Sequence, residues 1–333
     1  MAIDVNRSGV ELSRRAFLAS ASAAAIASPG VILAAEPLTL WGPPAAPSIV
    51  LAQAVASGAL KDIAPAAAFR TWRTPDEMRA GLSSGAMQAV IVPSNVAANL
   101  YNRGLGVHLL NVMTRGLLYV VAGAGISRIA DLAGKKIAVP FRNDMPDFIL
   151  RRLLAKAGLK PGKDLHCDYA GTPPEAMQML LAGRVDAALL AEPAATATIL
   201  RAKVSLTRVT RAIDCQKEWA ELTGGSGFIP QAGLAVTRAF ADRIGRSGLA
   251  TIQNALQAAV SFVVDHPLRA SLPSALEFGA MSPIIAEAIP YSNLVVLGAS
   301  SVRPELEAFF SILAEDDPRI INGKLPDEAF YAL

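Results

Sequence analysis

The chain has 333 residues, 52% of them hydrophobic and 18% charged, with a net charge of +3 and two cysteines. This is more than one core commonly uses and apolar enough to fold, which points to two lobes and excludes a disordered chain. The near-neutral balance, with no Lys/Arg stripe interleaved with aromatics, excludes a nucleic-acid binder.

At the N-terminus, Ser13-Arg14-Arg15-Ala16-Phe17-Leu18 satisfies the S-R-R-x-F-L pattern. An Ala/Ser-rich apolar run follows, then small residues at Ala34 and Ala35. Residues 1–35 read as a twin-arginine export signal, and cleavage near Ala35 would release a soluble chain starting at Glu36. Pro29 and Gly30 interrupt the run, which counts against a membrane anchor. No cysteine stands near the cleavage point to take a lipid: the two are Cys167 and Cys215. An oxidising compartment permits a bridge between them, but two separate buried thiols is the preferred reading.

Strands are expected at 38–41, 66–71 and 89–92, alternating with helices at 48–56, 75–84 and 95–102. The pattern recurs with strands at 136–139, 165–169 and 186–190 and helices at 146–157, 174–182 and 193–202. Such alternation builds parallel sheets with crossover helices. Gly58, Gly85, Gly158 and Gly183 each follow a helical stretch, where a left-handed residue ends a helix. A quasi-repeat supports two similar lobes. Thr74-Pro75-x-Glu77 with Leu82, Gly85 and Ala89 reappears 98 residues later as Thr172-Pro173-x-Glu175 with Leu180, Gly183 and Ala187. The same offset carries 40–44 onto 138–142 and 92–95 onto 190–193. In the tail, 227–237 reads as a strand. Leu249, Ile252, Leu256, Ala259 and Val263 share one face of a helix that stops before Pro267. Further helices are expected at 284–289 and 304–314, and the whole segment is expected to complete the first lobe.

In open parallel sheets a ligand binds beyond the carboxyl ends of the strands, at helix N-termini whose free N–H groups favour an anion or a polar acceptor. Those ends are Trp41-Gly42-Pro43-Pro44, Pro93-Ser94-Asn95, Phe141 to Met145, and Ala191-Glu192-Pro193. Candidate ligand residues are therefore Trp41, Pro43, Pro44, Ser94, Asn95, Thr114, Arg142, Asn143, Asp144, Met145 and Glu192. Arg142 offers a cation to a polar ligand, and Glu192 offers an acceptor for an amine or amidine. Each has a plainer role open to it. Ser94, Asn95 and Asp144 are of the types that cap helices, Arg142 can be a solvated charge, and Trp41 can be core. Thr114 and Arg115 end the strand within 106–116, near a crossover. Chemistry of other kinds is not indicated. His108, His166 and His266 lack metal-ligand spacing, no phosphate-binding loop occurs, and the G-x-S-x-G match at Gly81 to Gly85 falls inside an expected helix. No catalytic residue, metal or cofactor is expected. Gly224-Gly225-Ser226-Gly227 reads as a flexible loop.

Residues 126–165, "ISRIADLAGKKIAVPFRNDMPDFILRRLLAKAGLKPGKDL", followed by "PPEAMQMLLAGRVDAALLAEP", carry a resemblance. They are similar to the D-L-x-G-K-K-I-A-V-P, A-G-L-x-P and G-x-V-D-A-A-x-x-x-E-P segments of periplasmic substrate-binding proteins of ABC importers. The resemblance is to those for nitrate, sulfonates and taurine, with their relatives that bind pyrimidine precursors of thiamine. The resemblance covers nearly everything after the signal. It implies an α/β, two-lobe type II periplasmic-binding-protein fold, with two parallel-type sheets, crossover helices and two hinge strands. The lobes would be 36–118 plus 225–333, and 119–224, with crossovers near 118–123 and 227–236.

It further implies a periplasmic monomer that closes around a small-molecule ligand and docks on membrane permease subunits, with ligand loops at 41–46, Ser94, 142–145 and Glu192. The expected ligand is a small organic anion of the sulfonate, nitrate or carboxylate class; an aminopyrimidine is the alternative. The chain departs from the family at 141–144, where Phe-Arg-Asn-Asp replaces small Gly/Ser residues, which suits a ligand with a donor. The fold also hosts a chorismate-processing lyase, against which Arg14-Arg15 argues, and a thiamine-pyrimidine synthase whose Cys-rich motif is absent here. A ligand-sensing partner of a membrane receptor is a third possibility.

Overall fold

The computed structural model describes residues 38–206 and 208–332. The expected export signal and cleavage site lie outside them. The first half of the described chain alternates β1 (Thr39–Gly42), α1 (Pro47–Ala56), β2 (Ala68–Thr71), α2 (Pro75–Ser84), β3 (Ala89–Pro93) and α3 (Ser94–Asn102). β4 (Val107–Leu109) and β5 (Asn111–Thr114) then lead to β6 (Leu118–Ala122). The second half repeats the alternation: β7 (Lys136–Pro140), α4 (Met145–Lys156), β8 (His166–Ala170), α5 (Pro173–Leu181), β9 (Ala187–Ala191), α6 (Ala194–Val204), β10 (Thr210–Asp214) and α7 (Cys215–Thr223). β11 (Ala232–Thr237), α8 (Arg238–Asp265, broken at Gly245), α9 (Pro267–Phe278), α10 (Ser282–Ala288), β12 (Leu294–Gly298) and α11 (Arg303–Asp316) complete it.

The quasi-repeat is structural. Thr74 Oγ1 accepts from Glu77 N–H at 3.2 Å, and Thr172 Oγ1 accepts from Glu175 N–H at 3.3 Å. The two glutamates reach back to Arg73 N–H and Gly171 N–H, both at 2.7 Å. Matched caps thus open α2 and α5, and the helices end near Gly85 and Gly183, both at positive φ. Gly58 and Gly158 also take positive φ beyond their helices.

The strands form two five-stranded sheets, ordered β2-β1-β3-β11-β4 and β10-β6-β9-β7-β8, one for each lobe of the two-lobe fold, and a two-stranded antiparallel sheet of β5 and β12. Parallel pairing is confined to β2-β1-β3 and β8-β7-β9. β11 runs antiparallel to β3 and β4, and β6 antiparallel to β9 and β10. The sheets are therefore mixed, where the alternation alone suggested parallel ones, because each receives a strand arriving from the opposite lobe. Of the parallel strands, β3, β7 and β9 are buried on both faces, which explains their continuous apolar runs, whereas the edge strands β2 and β8 are not. One core lies between the first sheet and α1, α8 and α9, and another under α5 and α6. The third runs through both lobes, from Val90 and Val92 to Val139 and Leu189.

The crossovers sit at 115–117 and 224–231, and they touch: Ile229 N–H donates to Arg115 O at 3.0 Å. The strand expected over 227–237 begins only at Ala232, and the one expected over 106–116 is split at Leu110, whose N–H bonds Leu234 O. The five apolar residues of α8 are all buried as expected. The tail does not serve the first lobe alone. Phe309 of α11 packs edge-on against Trp219 of α7, and Arg152 of α4 bonds Glu315 and Asp316. Cys167 is half-buried, Cys215 is buried, and both are free thiols.

Candidate functional site

The carboxyl ends of β1, β3, β7 and β9 face one another across the lobes, as strand-end logic requires. Between them lies a cavity of about 100 Å³. Its wall is apolar: seven prolines, including Pro43, Pro44, Pro93 and Pro146, with Trp72, Val92, Leu117, Leu118, Phe141 and Met145. Pro75 and Pro173, the two prolines of the quasi-repeat, both line it. The polar contributions are Asp144 and Gln231, and Gln231 Oε1 is buried with no hydrogen-bond partner. Two bonds cross the cleft: Arg79 Nη2 donates to Asp144 Oδ2 at 2.7 Å, and Ala46 N–H donates to Glu192 O at 3.0 Å. A second space, a polar groove of about 710 Å³, adjoins the Arg79 side and takes Asn95, Asn143 and Arg151 into its wall.

Four of the residues singled out from the sequence line the cavity: Pro43, Pro44, Asp144 and Met145. Asp144 is buried and also caps α4, accepting from Met145 N–H at 2.9 Å. Asn95 and Asn143 face the groove instead. Asn95 is 3% exposed and its Oδ1 has no partner. Asn143 is held by Arg151 and by Asp147.

The remaining candidates are placed elsewhere. Arg142 is exposed, and its guanidinium lies over the Tyr169 ring at 5.0 Å, outside the cavity wall. Ser94 is fully buried, donating from Oγ to Pro230 O at 2.6 Å and from N–H to Gln231 O. It is the first helical residue of α3 rather than a cap, since Pro93 holds the cap position. Thr114 donates to Ser292 O at 2.9 Å beside the first crossover. Trp41 is half-buried against the core, with Nε1 unpartnered and off the cavity.

Glu192 is fully buried and committed inside the second lobe. Its Oε1 meets Arg211 Nε at 2.7 Å, and Oε2 accepts from Thr196 N–H at 3.1 Å and Oγ1 at 2.7 Å. Burial pushes this carboxyl up from its ordinary value, against the opposing pull of Arg211 and Thr196. Arg211 in turn stacks on Tyr291, 3.5 Å from its ring centroid.

Sequence reasoning missed Gln231 and Arg79; Phe141 stood in a named strand-end loop without being chosen, and Trp72 ranked below Trp41 as a platform. Trp72 follows β2, whose end had not been counted among the ligand loops, although the repeat signal at Thr74-Pro75 stands beside it. Ser83 lies inside α2, as the discounted G-x-S-x-G match required. Among the described residues no helix is long and apolar enough to cross a membrane.

Over residues 65–257 the chain matches the family described as "ABC transporter, phosphonate, periplasmic substrate-binding protein". No curated protein matches it significantly. Solved structures share its fold. An ABC transporter from Parabacteroides distasonis is 21% identical over 88% of this chain and 98% of that one, with a TM-score of 0.73. The periplasmic aliphatic sulphonate binding protein SsuA from Escherichia coli is 18% identical over 87% and 95%, at 0.69. The periplasmic nitrate-binding protein NrtA from Synechocystis PCC 6803 is 13% identical over 75% and 69%, at 0.59. The kinship read from residues 126–193 thus holds: the chain belongs to the ABC-transporter periplasmic substrate-binding family, whose members are binding proteins of importers and not enzymes.

Proposed function

We propose that the chain captures a compact, predominantly apolar ligand carrying N–H donors, in the manner of an amide or amino-heterocycle, and delivers it to permease subunits at the inner membrane. The cavity wall carries this reading. It is nearly all hydrocarbon, and it holds the Asp144 carboxylate and the buried, unpartnered Gln231 Oε1, both of which accept hydrogen bonds. At ~10–15 Å³ for each water-sized occupant, the space takes on the order of seven to ten non-hydrogen atoms. Pro43, Pro44, Asp144 and Met145, with Trp72, Phe141 and Gln231, are the ligand residues on this reading. The lobes are 36–118 plus 225–333, and 119–224, and they work as a monomer. Export by the twin-arginine route, with cleavage near Ala35, brings the chain to the periplasm.

The second reading is a small organic anion, of the sulfonate, nitrate or carboxylate class. It is favoured by α3, which opens at the cleft with no side-chain cap, its Ser94 N–H alone being taken up by Gln231 O. A melting screen of the full chain separates the two, using alkanesulfonates, taurine, nitrate and aromatic carboxylates against aromatic amides and aminopyrimidines. A ligand at a hundredfold excess over its Kd adds about 2.7 kcal/mol. Stabilisation by the amides or aminopyrimidines alone supports the first reading, and stabilisation by the anions alone overturns it.

A further inference from the structure

The Arg79–Asp144 bond separates the apolar cavity from the polar groove and joins the lobes across the cleft. Among the described residues, Asp144 is the only charged one in the cavity wall. Its side chain is 4% exposed, a depth at which an unpaired carboxylate is strongly disfavoured. The carboxylate is divided: Oδ1 caps α4 and Oδ2 takes the Arg79 guanidinium. Arg79 also lies 3.8 Å from Asp76, which is on its own helix and fully solvated. The other charges of the groove are satisfied locally: Arg151 by Asp147 at 2.6 Å, Arg319 by Asp317 at 2.8 Å, and Asp316 by Arg152 at 3.0 Å. One carboxylate therefore faces the enclosed space, and one cation from the opposite lobe balances it.

We propose that Arg79 is the cross-lobe counter-ion of Asp144, so that the closed cleft is neutral by construction and Asp144 selects against anions. This rests on reading the apolar cavity as the ligand site. Closing on a neutral molecule keeps the pair intact. Closing on an anion adds an uncompensated negative charge beside a carboxylate in an apolar enclosure. A cationic group can replace Arg79 at Oδ2. Selectivity thus lies in a pair formed only when the lobes meet.

The test is titration calorimetry of the full chain with benzoate, benzamide and benzamidine, three probes of one shape and three charges. Wild type is compared with Asp144→Asn, which preserves the helix cap while removing the charge, and with Arg79→Gln. Wild type is expected to bind benzamide at least about tenfold more tightly than benzoate. Asp144→Asn closes that gap, because Arg79 is left without its carboxylate. Arg79→Gln shifts preference to benzamidine by on the order of tenfold. Benzoate binding wild type as tightly as benzamide, or an unchanged ratio in Asp144→Asn, overturns the proposal. If none of the probes binds any of the three proteins, the ligand class proposed above fails. The counter-ion role is then decided by small-angle scattering of the ligand-free chain. Expansion in Arg79→Gln, with none added by a further Asp144→Asn, supports the role, and scattering identical to wild type overturns it.

Discussion

Replacing Glu192 by Ala separates two roles that its sequence position leaves open. As a ligand acceptor, its loss would weaken binding and spare the fold. The structure gives it three charge-assisted bonds, to Arg211 and twice to Thr196, with no exposure to solvent. Removing one partner of a buried pair costs about 3–5 kcal/mol, because the other charge is stranded. Arg211 is 17% exposed and keeps its stacking on Tyr291, so some charge is still solvated and the lower end, about 3 kcal/mol, is expected. Glu192→Gln keeps the shape and the Thr196 bonds and should cost less. Glu192→Gln combined with Arg211→Met removes both charges and should recover most of the loss. Equilibrium urea unfolding of the four proteins measures this. A change below about 1 kcal/mol in Glu192→Ala, accompanied by loss of ligand binding, would refute the structural assignment.

Other expectations follow from the same geometry. Arg142→Ala should leave the ligand-induced rise in melting temperature unchanged, since the guanidinium lies on Tyr169 and not in the cavity wall; abolition of that rise would return Arg142 to the site. Burial pushes the Cys167 thiol up to about 11. At pH 8 only about a thousandth is then thiolate, and alkylation by iodoacetamide should accelerate roughly tenfold per pH unit towards pH 11. A rate already flat at pH 8 would contradict this environment.

What could be read from the sequence depended on whether the signal was local. β3 and β9 read as continuous apolar runs because both faces are buried, and the paired Thr-Pro-x-Glu segments are caps whose bonds span three or four residues. β10 escaped because only Ile213 among its residues is fully buried, so no apolar period marks it. α9 escaped because Pro267, before which α8 does stop at Asp265, also opens the next helix from its first turn. The antiparallel placement of β6 and β11 depends on pairings with remote strands, which no window of sequence contains. The site divides in the same way. Strand-end logic named loops that do line the cavity, yet within them charge did not mark the wall. Glu192 and Arg142 were chosen for their charges, and one turns inward to Arg211 while the other turns outward to Tyr169. Arg79, the cation that does reach the cleft, stands mid-helix, 65 positions from its partner.

The proposed closure of the lobes would require the crossovers to bend, and Gly116 is where the first one is most constrained. It takes φ +119°, and a Cβ there would lie 2.5 Å from Gln216 Cγ. The Gln216 amide cannot simply swing away, because its Oε1 accepts from Leu118 N–H at 3.1 Å and thereby fixes the start of β6. Asn293 Nδ2 donates to Gly116 O and Arg115 N–H donates to Asn293 O, both at 2.8 Å, so three passes of chain are tied at this point. Gly116→Ala therefore combines backbone strain of about 1–3 kcal/mol with loss of the Gln216 bond, worth about another 1 kcal/mol. The expected result is a loss of about 2–4 kcal/mol in urea unfolding. A shift towards the open form in ligand-free scattering should accompany it, because the strain sits at the joint that the closed form fixes. Gln216→Ala in the same background removes the obstruction and should restore little, since it also gives up the Leu118 bond. If Gly116→Ala is as stable as wild type and scatters identically, the crossover tolerates the side chain, and the hinge lies elsewhere in the three tied passes.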